Sequence, residues 1–277
     1  QVRRLFNERR VGHAGTLDPM ATGLLIMGVG SSTRLLRFAQ SEVKRYGGRV
    51  KFGVTTDSLD ADGAVTDQQP VPTLTPHIMD AATGAMLGPQ QQTPPMVSAI
   101  KIDGQRLHKL ARQGVEVERP LRKITVSAFT LSPTDDPSVW EFDVVCSVGT
   151  YVRVLLSDLA HHVGTIAHLV ALRRLSSGSH RVEDAFTIDQ LSSVVAKGDS
   201  ALLAPAAFVT ALEHVTLNDD QSRAMRMGQR VALSGEYVKE EIAAMDADGN
   251  LVGILKRRHD LWKPELVLSA IGETMSG

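Results

Sequence analysis

Polar and apolar residues alternate from 44 to 54, placing Tyr46, Gly48, Val50, Phe52 and Val54 on one face, which predicts a half-buried strand. Two more strands are predicted at 124–131 and 139–148, joined by a turn containing Pro and Asp. At 152–162 the period becomes helical, with Leu155, Leu156 and Leu159 facing inward. Residues 167–175 lead into a further strand or loop. Nearer the start, 2–10 reads as the end of a basic amphipathic helix with Val2, Leu5 and Phe6 on one side. Residues 12–22 read as a loop, because Gly, Pro and small residues dominate. The apolar run at 23–30 predicts a short buried strand. Ser31-Ser32-Thr33 is placed to cap a helix through Gln40, with Leu35, Leu36 and Phe38 inward.

Residues 55–63 form an acidic turn region. The stretch 70–95 is rich in Pro, Thr and Gln around a short helix at 76–86, and 105–113 is helical by pattern, ended by Gly114. Beyond 208 the pattern changes to short strands at 231–233, 241–245, 250–255 and 264–268. Asp246-Ala247-Asp248-Gly249-Asn250 is a hairpin turn signal. These strands predict a separate small β-barrel of roughly 60 residues. There is no internal repeat and no low-complexity tract.

Composition narrows the class. The 277 residues suffice for a large domain and a small one, and a hydrophobic content of 43% allows a sizeable core. The single cysteine, Cys146, excludes an intramolecular disulfide and a cysteine-based zinc site. It sits in a strand pattern as a buried thiol, which fits a reducing cytoplasm. The longest apolar stretch, 24–29, is far short of the ~20 residues of a membrane span, and the basic start lacks the apolar run of a signal peptide. A soluble, cytoplasmic protein is expected.

Net charge is −1, yet the charge is unevenly spread. Basic residues crowd the first fifth, from Arg3 to Lys51, and cluster again from Lys101 to Lys123. Between Phe52 and Gln90 there are acids and no Lys or Arg. A phosphate backbone bound on one side is compatible with this, as is an ordinary solvated surface.

Three segments carry candidate chemistry. Gly12-His13-Ala14-Gly15-Thr16-Leu17-Asp18-Pro19-Met20-Ala21-Thr22-Gly23 holds a carboxylate and an imidazole among glycines. Pro19 biases Asp18 toward extended backbone, and a turn-capping aspartate is the plainer reading of it. Tyr46 offers a ring for stacking and a phenol for hydrogen bonding at a strand start, or is a core-edge tyrosine. In Gly149-Thr150-Tyr151-Val152-Arg153, Tyr151 and Arg153 are two apart at a strand end and point the same way. An arginine beside a carboxylate keeps it ionised and aimed; a surface arginine is the alternative. His161, His162 and His168 lack the carboxylate spacing of a metal site, and Gly28 to Ser32 lacks the Gly-Lys-Ser/Thr of a phosphate loop.

Taken together, these segments resemble the bacterial tRNA pseudouridine synthase B family, the tRNA pseudouridine-55 synthases. Further matches follow in the family's order: Lys44-Arg45-Tyr46, residues 56–63, Pro94-Pro95-Met96-Val97-Ser98-Ala99-Ile100-Lys101, Ala111-Arg112-Gln113-Gly114 and Leu172-Arg173-Arg174-Leu175. The resemblance covers residues 1 to about 205. It implies an α+β (mixed α/β) fold with a central, mainly antiparallel sheet flanked by helices. It also implies a catalytic domain at 1–207 with an RNA-gripping insertion at about 74–118. The tail, 208–277, resembles the family's PUA-like RNA-binding barrel. Family members open with a strand and a Lys-Pro-x-Gly-x-(Thr/Ser)-Ser element that supports the active-site loop. Gln1 already lies within the following helix, so that strand is missing here or lies upstream.

The implied reaction isomerises uridine to pseudouridine: the N1–C1′ bond breaks and a C5–C1′ bond forms, with no cofactor or metal. The resemblance implies Asp18 as the essential carboxylate, attacking C1′, assisting proton loss from C2′ or adding to C6. Arg153 would pair with Asp18. Tyr46 would stack on the uracil and serve the proton transfer at C5. Tyr151 would line the pocket, Leu172 would form an apolar wall, and Asp60 would help position groups around the base. His13 would contact the RNA where the base has flipped out. The implied partner is tRNA, through its T-arm, elbow and acceptor end, with the protein a monomer without an obligate protein partner. Two competing readings are a non-catalytic tRNA-binding or folding protein on this scaffold and a phosphoryl-transfer or hydrolase enzyme using Asp18 as an aspartyl nucleophile. The latter class usually shows a second Asp two positions on, where this chain has Met20.

Overall fold

The computed structural model describes residues 1–40, 43–96, 101–102, 105–106 and 117–268. The chain divides into two compact units. One comprises Leu17–Leu24 and Glu42–Asp184; the other comprises Gln1–Thr16, Leu25–Ser41 and Ala185–Gly277.

The first unit is built on a seven-stranded sheet. Its order is His180–Arg181, Ala167–Ser177, Lys44–Phe52, Val139–Cys146, Arg122–Pro133 and Gly88–Gln92. All these neighbours are antiparallel; the short strand Thr22–Gly23 adds to Ala167–Ser177 in parallel, which makes the sheet mixed. The expected alternation holds along Lys44–Phe52, where Tyr46, Val50 and Phe52 are buried. Gly53, at φ +84°, then breaks the strand, so Val54 begins a new one, Val54–Thr56. On the opposite face the strands carry the exposed pairs Arg45–Asp143 at 2.9 Å and Arg49–Glu141 at 2.8 Å. A sheet with one apolar and one charged face must be covered on the first. The helices Pro76–Ala85 and Val152–His162 do this, contributing Met79, Ala82, Leu155, Leu156 and Leu159 to a core shared with Val50, Phe52, Trp140, Phe142 and Val144.

In the second unit, Glu213–Thr216, Glu241–Met245, Leu251–Arg258 and Leu261–Val267 form a four-stranded sheet, the first pair parallel and the rest antiparallel. The hairpin turn falls where expected: Asp246 N donates to Asn250 O at 2.9 Å and Gly249 takes φ +81°. Residues 231–233 form no strand; Val231 makes a single bridge to Trp262. Helices Ile188–Ala196 and Asp219–Arg226 each open with a capping box, Thr187 with Gln190 and Asn218 with Gln221.

Several expectations near the start are corrected. The first helix is only Val2–Leu5 and stops before Asn7, whose φ is +47°. Residues 12–22 are not all loop: Val11–Ala14 pairs antiparallel with Ile26–Val29, Gly12 facing Gly28. These glycines serve close packing. A Cβ on Gly12 would lie 2.8 Å from Leu36 Cδ1, and one on Gly28 would lie 3.1 Å from Leu36 Cγ. Residues 23–30 accordingly split between two sheets. Residues 31–33 lie within a 3-10 turn, Gly30–Leu35, in which Thr33 Oγ1 donates to Gly30 O, and the α-helix is only Leu36–Gln40. Gln105–Arg106 is a two-residue strand paired with Lys101–Ile102, contrary to the predicted helix. The rest of that helix, and the matches at 97–100 and 111–114, fall outside the described residues. Among the described residues no helix is long and apolar enough to cross a membrane.

Candidate active site

The Asp18 loop is held from both ends. Upstream, Leu17, and downstream, Met20 and Ala21, pack against the apolar core of the first unit. Pro19 fixes its own φ, and Ala21 N closes a turn on Asp18 O at 2.9 Å. Thr22 Oγ1 donates to Leu172 O at 3.3 Å, and Leu24 N donates to Arg174 O at 2.9 Å. Gly23, at φ +94°, lies so close to the Ala167–Ser177 strand that a Cβ would meet Arg174 N at 2.8 Å. Asp18 thus sits on a short, tightly docked segment, with its side chain 29% exposed.

Arg153 comes from the start of the helix Val152–His162, as the helical period at 152–162 predicts, and not from the strand end that its spacing from Tyr151 suggests. Tyr151 is the N-cap residue, and no side chain of its own caps the helix. Gln92, buried on a neighbouring strand, holds Tyr151 from outside. Its Nε2 donates to Tyr151 O at 3.2 Å, and its Oε1 accepts from Tyr151 N at 2.8 Å. Arg153 itself is 3% exposed, with its guanidinium 5.8 Å from the Tyr151 ring centroid.

From there Arg153 Nη2 donates to Asp18 Oδ1 at 2.9 Å. Its Nη1 reaches Ser58 O at 3.0 Å and Asp60 Oδ2 at 3.4 Å. Asp60 is itself fixed: Ser58 Oγ and Asp62 N both donate to its Oδ1, and Thr56 Oγ1 donates to its carbonyl oxygen at 2.7 Å. The turn that does this places Leu59 at φ +62°, and Leu169 N donates to Leu59 O at 3.0 Å, tying the turn to the sheet. A non-glycine residue in the left-handed region costs conformational energy, which the surrounding bonds offset.

Burial pushes the Asp18 carboxyl above its usual range. Arg153 pulls it back, while the charges on Asp60 and Asp62 push it further up. Burial likewise raises the Tyr46 phenol, opposed by the positive charge of Arg174; the negative charge of Asp18 adds to the rise. Tyr46 is therefore a neutral phenol at ordinary pH. The site combines a poorly solvated carboxylate, aimed by a guanidinium, with a buried phenol close enough to feel its charge.

Of the residues singled out from the sequence, Asp18, Arg153, Asp60, Tyr46 and Tyr151 come together. Leu172 belongs to the same core and sits on the strand that docks the loop. His13 lies in the other unit, exposed on the strand Val11–Ala14. Residue-by-residue reading misses Ser58, Gln92 and Arg174. Arg174 stood in a noted motif, Leu172-Arg173-Arg174-Leu175, but nothing local tells which arginine turns inward.

Residues 3–152 match the model of the TruB family pseudouridylate synthase (N terminal domain). The tRNA pseudouridine synthase B of Streptococcus sanguinis (strain SK36) is 37% identical over 273 residues, covering 96% of this chain and 92% of that protein. That of Opitutus terrae is 46% identical over 194 residues, covering 70% and 80%. Among solved structures, a chain of an H/ACA RNP bound to a substrate RNA containing 2′-deoxyuridine superposes with a TM-score of 0.73 at 18% identity, covering 97% of this chain and 79% of that one. A chain of a Cbf5-Nop10-Gar1 complex gives 0.73 at 21%, covering 96% and 78%. These two likenesses show a shared mixed α+β fold.

Proposed function

The chain belongs to the TruB family of pseudouridylate synthases and is a tRNA pseudouridine synthase, an isomerase; from that premise we propose that Asp18 is its essential carboxylate, acting on the T-loop uridine at the family's position 55. The observation that carries this reading is the Arg153–Asp18 contact at 2.9 Å, made by an arginine that is itself almost fully buried. Such a pairing keeps a desolvated carboxylate ionised and pointed one way.

In the isomerisation the N1–C1′ bond breaks and a C5–C1′ bond forms. The C5 proton then leaves and N1 gains one, so the formula is unchanged. Asp18 serves attack on C1′, removal of the C2′ proton or addition to C6, since each needs the same poorly solvated, aimed carboxylate. Tyr46 stacks on the uracil, and its phenol serves the proton transfer at C5. Tyr151 and Leu172 line the pocket. Asp60 acts through Arg153, holding the guanidinium that aims Asp18.

A uridine in a folded T-loop has to leave the stack to reach Asp18, at a cost of a few kcal/mol, roughly, offset by stacking and hydrogen bonds in the pocket. His13 contacts the RNA at the place the base vacates. The basic clusters hold phosphates without reading sequence. In this reading residues 1–207 are the catalytic domain, 74–118 grip the T-arm from one side, and 208–277 form a PUA-like barrel touching the acceptor end. The protein works in the cytoplasm as a monomer without cofactor. The test is incubation with an unmodified tRNA transcript and mapping of carbodiimide-adduct stops. A new stop at the T-loop uridine is expected; none anywhere in the tRNA would overturn the reading.

A further inference from the structure

Among the described residues Arg174 is one of the largest fully buried side chains, 1% exposed, on the strand Ala167–Ser177, which also buries Ala167, Leu169 and Leu172. An arginine cannot shed its charge, so its burial demands partners. Two elements of the site meet it. Arg174 Nε donates to Leu24 O at 2.7 Å, while Arg174 O accepts from Leu24 N at 2.9 Å, so one residue grips the outgoing end of the Asp18 loop twice. Across the sheet Arg174 is the antiparallel partner of Tyr46, so the two buried side chains share a face and the guanidinium charge bears on the phenol. The strand shifts register between Arg174 and Ser176. Such bulges commonly re-aim a side chain beside an active site.

We propose that Arg174 is a positioning residue for the reaction, holding the Tyr46 phenol and the Asp18 loop in one fixed relation. The inference rests on the roles given above to Asp18 and Tyr46. A guanidinium donates only, so beside Tyr46 it can serve only the acceptor side of the phenolic oxygen, which leaves the phenolic proton for substrate. The same planar group is bonded to the Leu24 carbonyl on a residue paired across the sheet with Tyr46. A lysine ammonium, a point charge on a flexible stem, does not reproduce that fork. Asp18 and Tyr46 come from segments far apart in the chain, and Arg174 is bonded to the loop that carries the one and paired across the sheet with the other.

The experiment compares wild type with Arg174→Lys and Arg174→Gln, the two variants ensuring that one folded protein suffices, as checked by thermal melting. Tyrosine labelled with ¹³C at Cζ is followed by NMR, the Tyr46 signal being assigned with Tyr46→Phe. Single-turnover rate and affinity are measured on a T-arm transcript. The expected result is a moved Tyr46 resonance and a rate lowered by about tenfold or more, with affinity changed less than about threefold. An unmoved resonance, or equal losses of rate and affinity, would overturn the proposal. An inactive wild type whose Tyr46 signal still moves in the variants would sink the functional reading and uphold the Arg174 contact.

Discussion

Arg153 gives one terminal nitrogen to Asp18, at 2.9 Å, and the other to Asp60, at 3.4 Å. Asp60 is 3% exposed and Asp18 is open enough to meet substrate, so the guanidinium is anchored on its buried side and aimed on its accessible one. The asymmetry explains why a single arginine can balance two carboxylates and still present one of them.

Arg153→Ala removes the aim without removing a phosphate contact. The single-turnover rate is expected to fall by roughly a hundredfold or more, while tRNA affinity changes little. Quench-flow and filter binding on the same preparations decide this. A collapse of affinity instead would make Arg153 an RNA contact.

The raised Asp18 carboxyl has a kinetic consequence. The acid limb of the pH–rate profile is expected above the range of an ordinary aspartate, because Asp18 must be ionised to act. Asp60 is one of the charges that raise it. Asp60→Asn should therefore move the limb to lower pH in single-turnover profiles; a limb that stays or rises would contradict the assignment.

The same shift has a stability consequence. A carboxyl raised on folding binds more protons in the native state, so its contribution to stability is lost as pH rises from the unfolded value through the folded one. Asp18→Asn removes that loss, and Arg153 keeps Asp60 as partner. The variant should unfold at higher urea than wild type at pH 7 and lose that advantage below about pH 4. A variant less stable than wild type at pH 7 would show that the ion pair outweighs burial.

Gly23 has no room for a side chain and sits at φ +94°. Gly23→Ala should cost about 1–3 kcal/mol by urea titration and lower activity, since the loop lifts from the strand. Wild-type stability in this variant would refute the docking described here.

Cys146 is fully buried, and burial pushes its thiol up to about 11. It should resist a thiol-specific disulfide reagent in native buffer and react only in denaturant. Rapid native labelling would mean the core around it opens readily.

How much of this was legible in the sequence depended on where the information lay. The helix Val152–His162 and the Lys44–Phe52 strand follow from periodicity, because each buries one face against the same core. Asp18, Tyr46 and Arg153 were legible only together, since each alone has a plainer reading as a turn, core-edge or surface residue. Gly12 and Gly28 misled: glycines usually mark loops, but here they let Leu36 press onto a strand pair. The capping boxes at Thr187 and Asn218 are written locally, each a Thr or Asn three residues before a Gln. Gln92 and Arg174 were not legible, because their roles depend on a partner 59 or 150 positions away.

The most direct test of the central claim is tritium release from a T-arm transcript carrying 5-tritiated uridine, with wild type and Asp18→Asn compared at equal, folded concentrations. Formation of the C5–C1′ bond must expel that label. The expected result is release by wild type and none above background by Asp18→Asn, with tRNA binding retained in both. Equal release by the two proteins would contradict the assignment of Asp18 as the essential carboxylate.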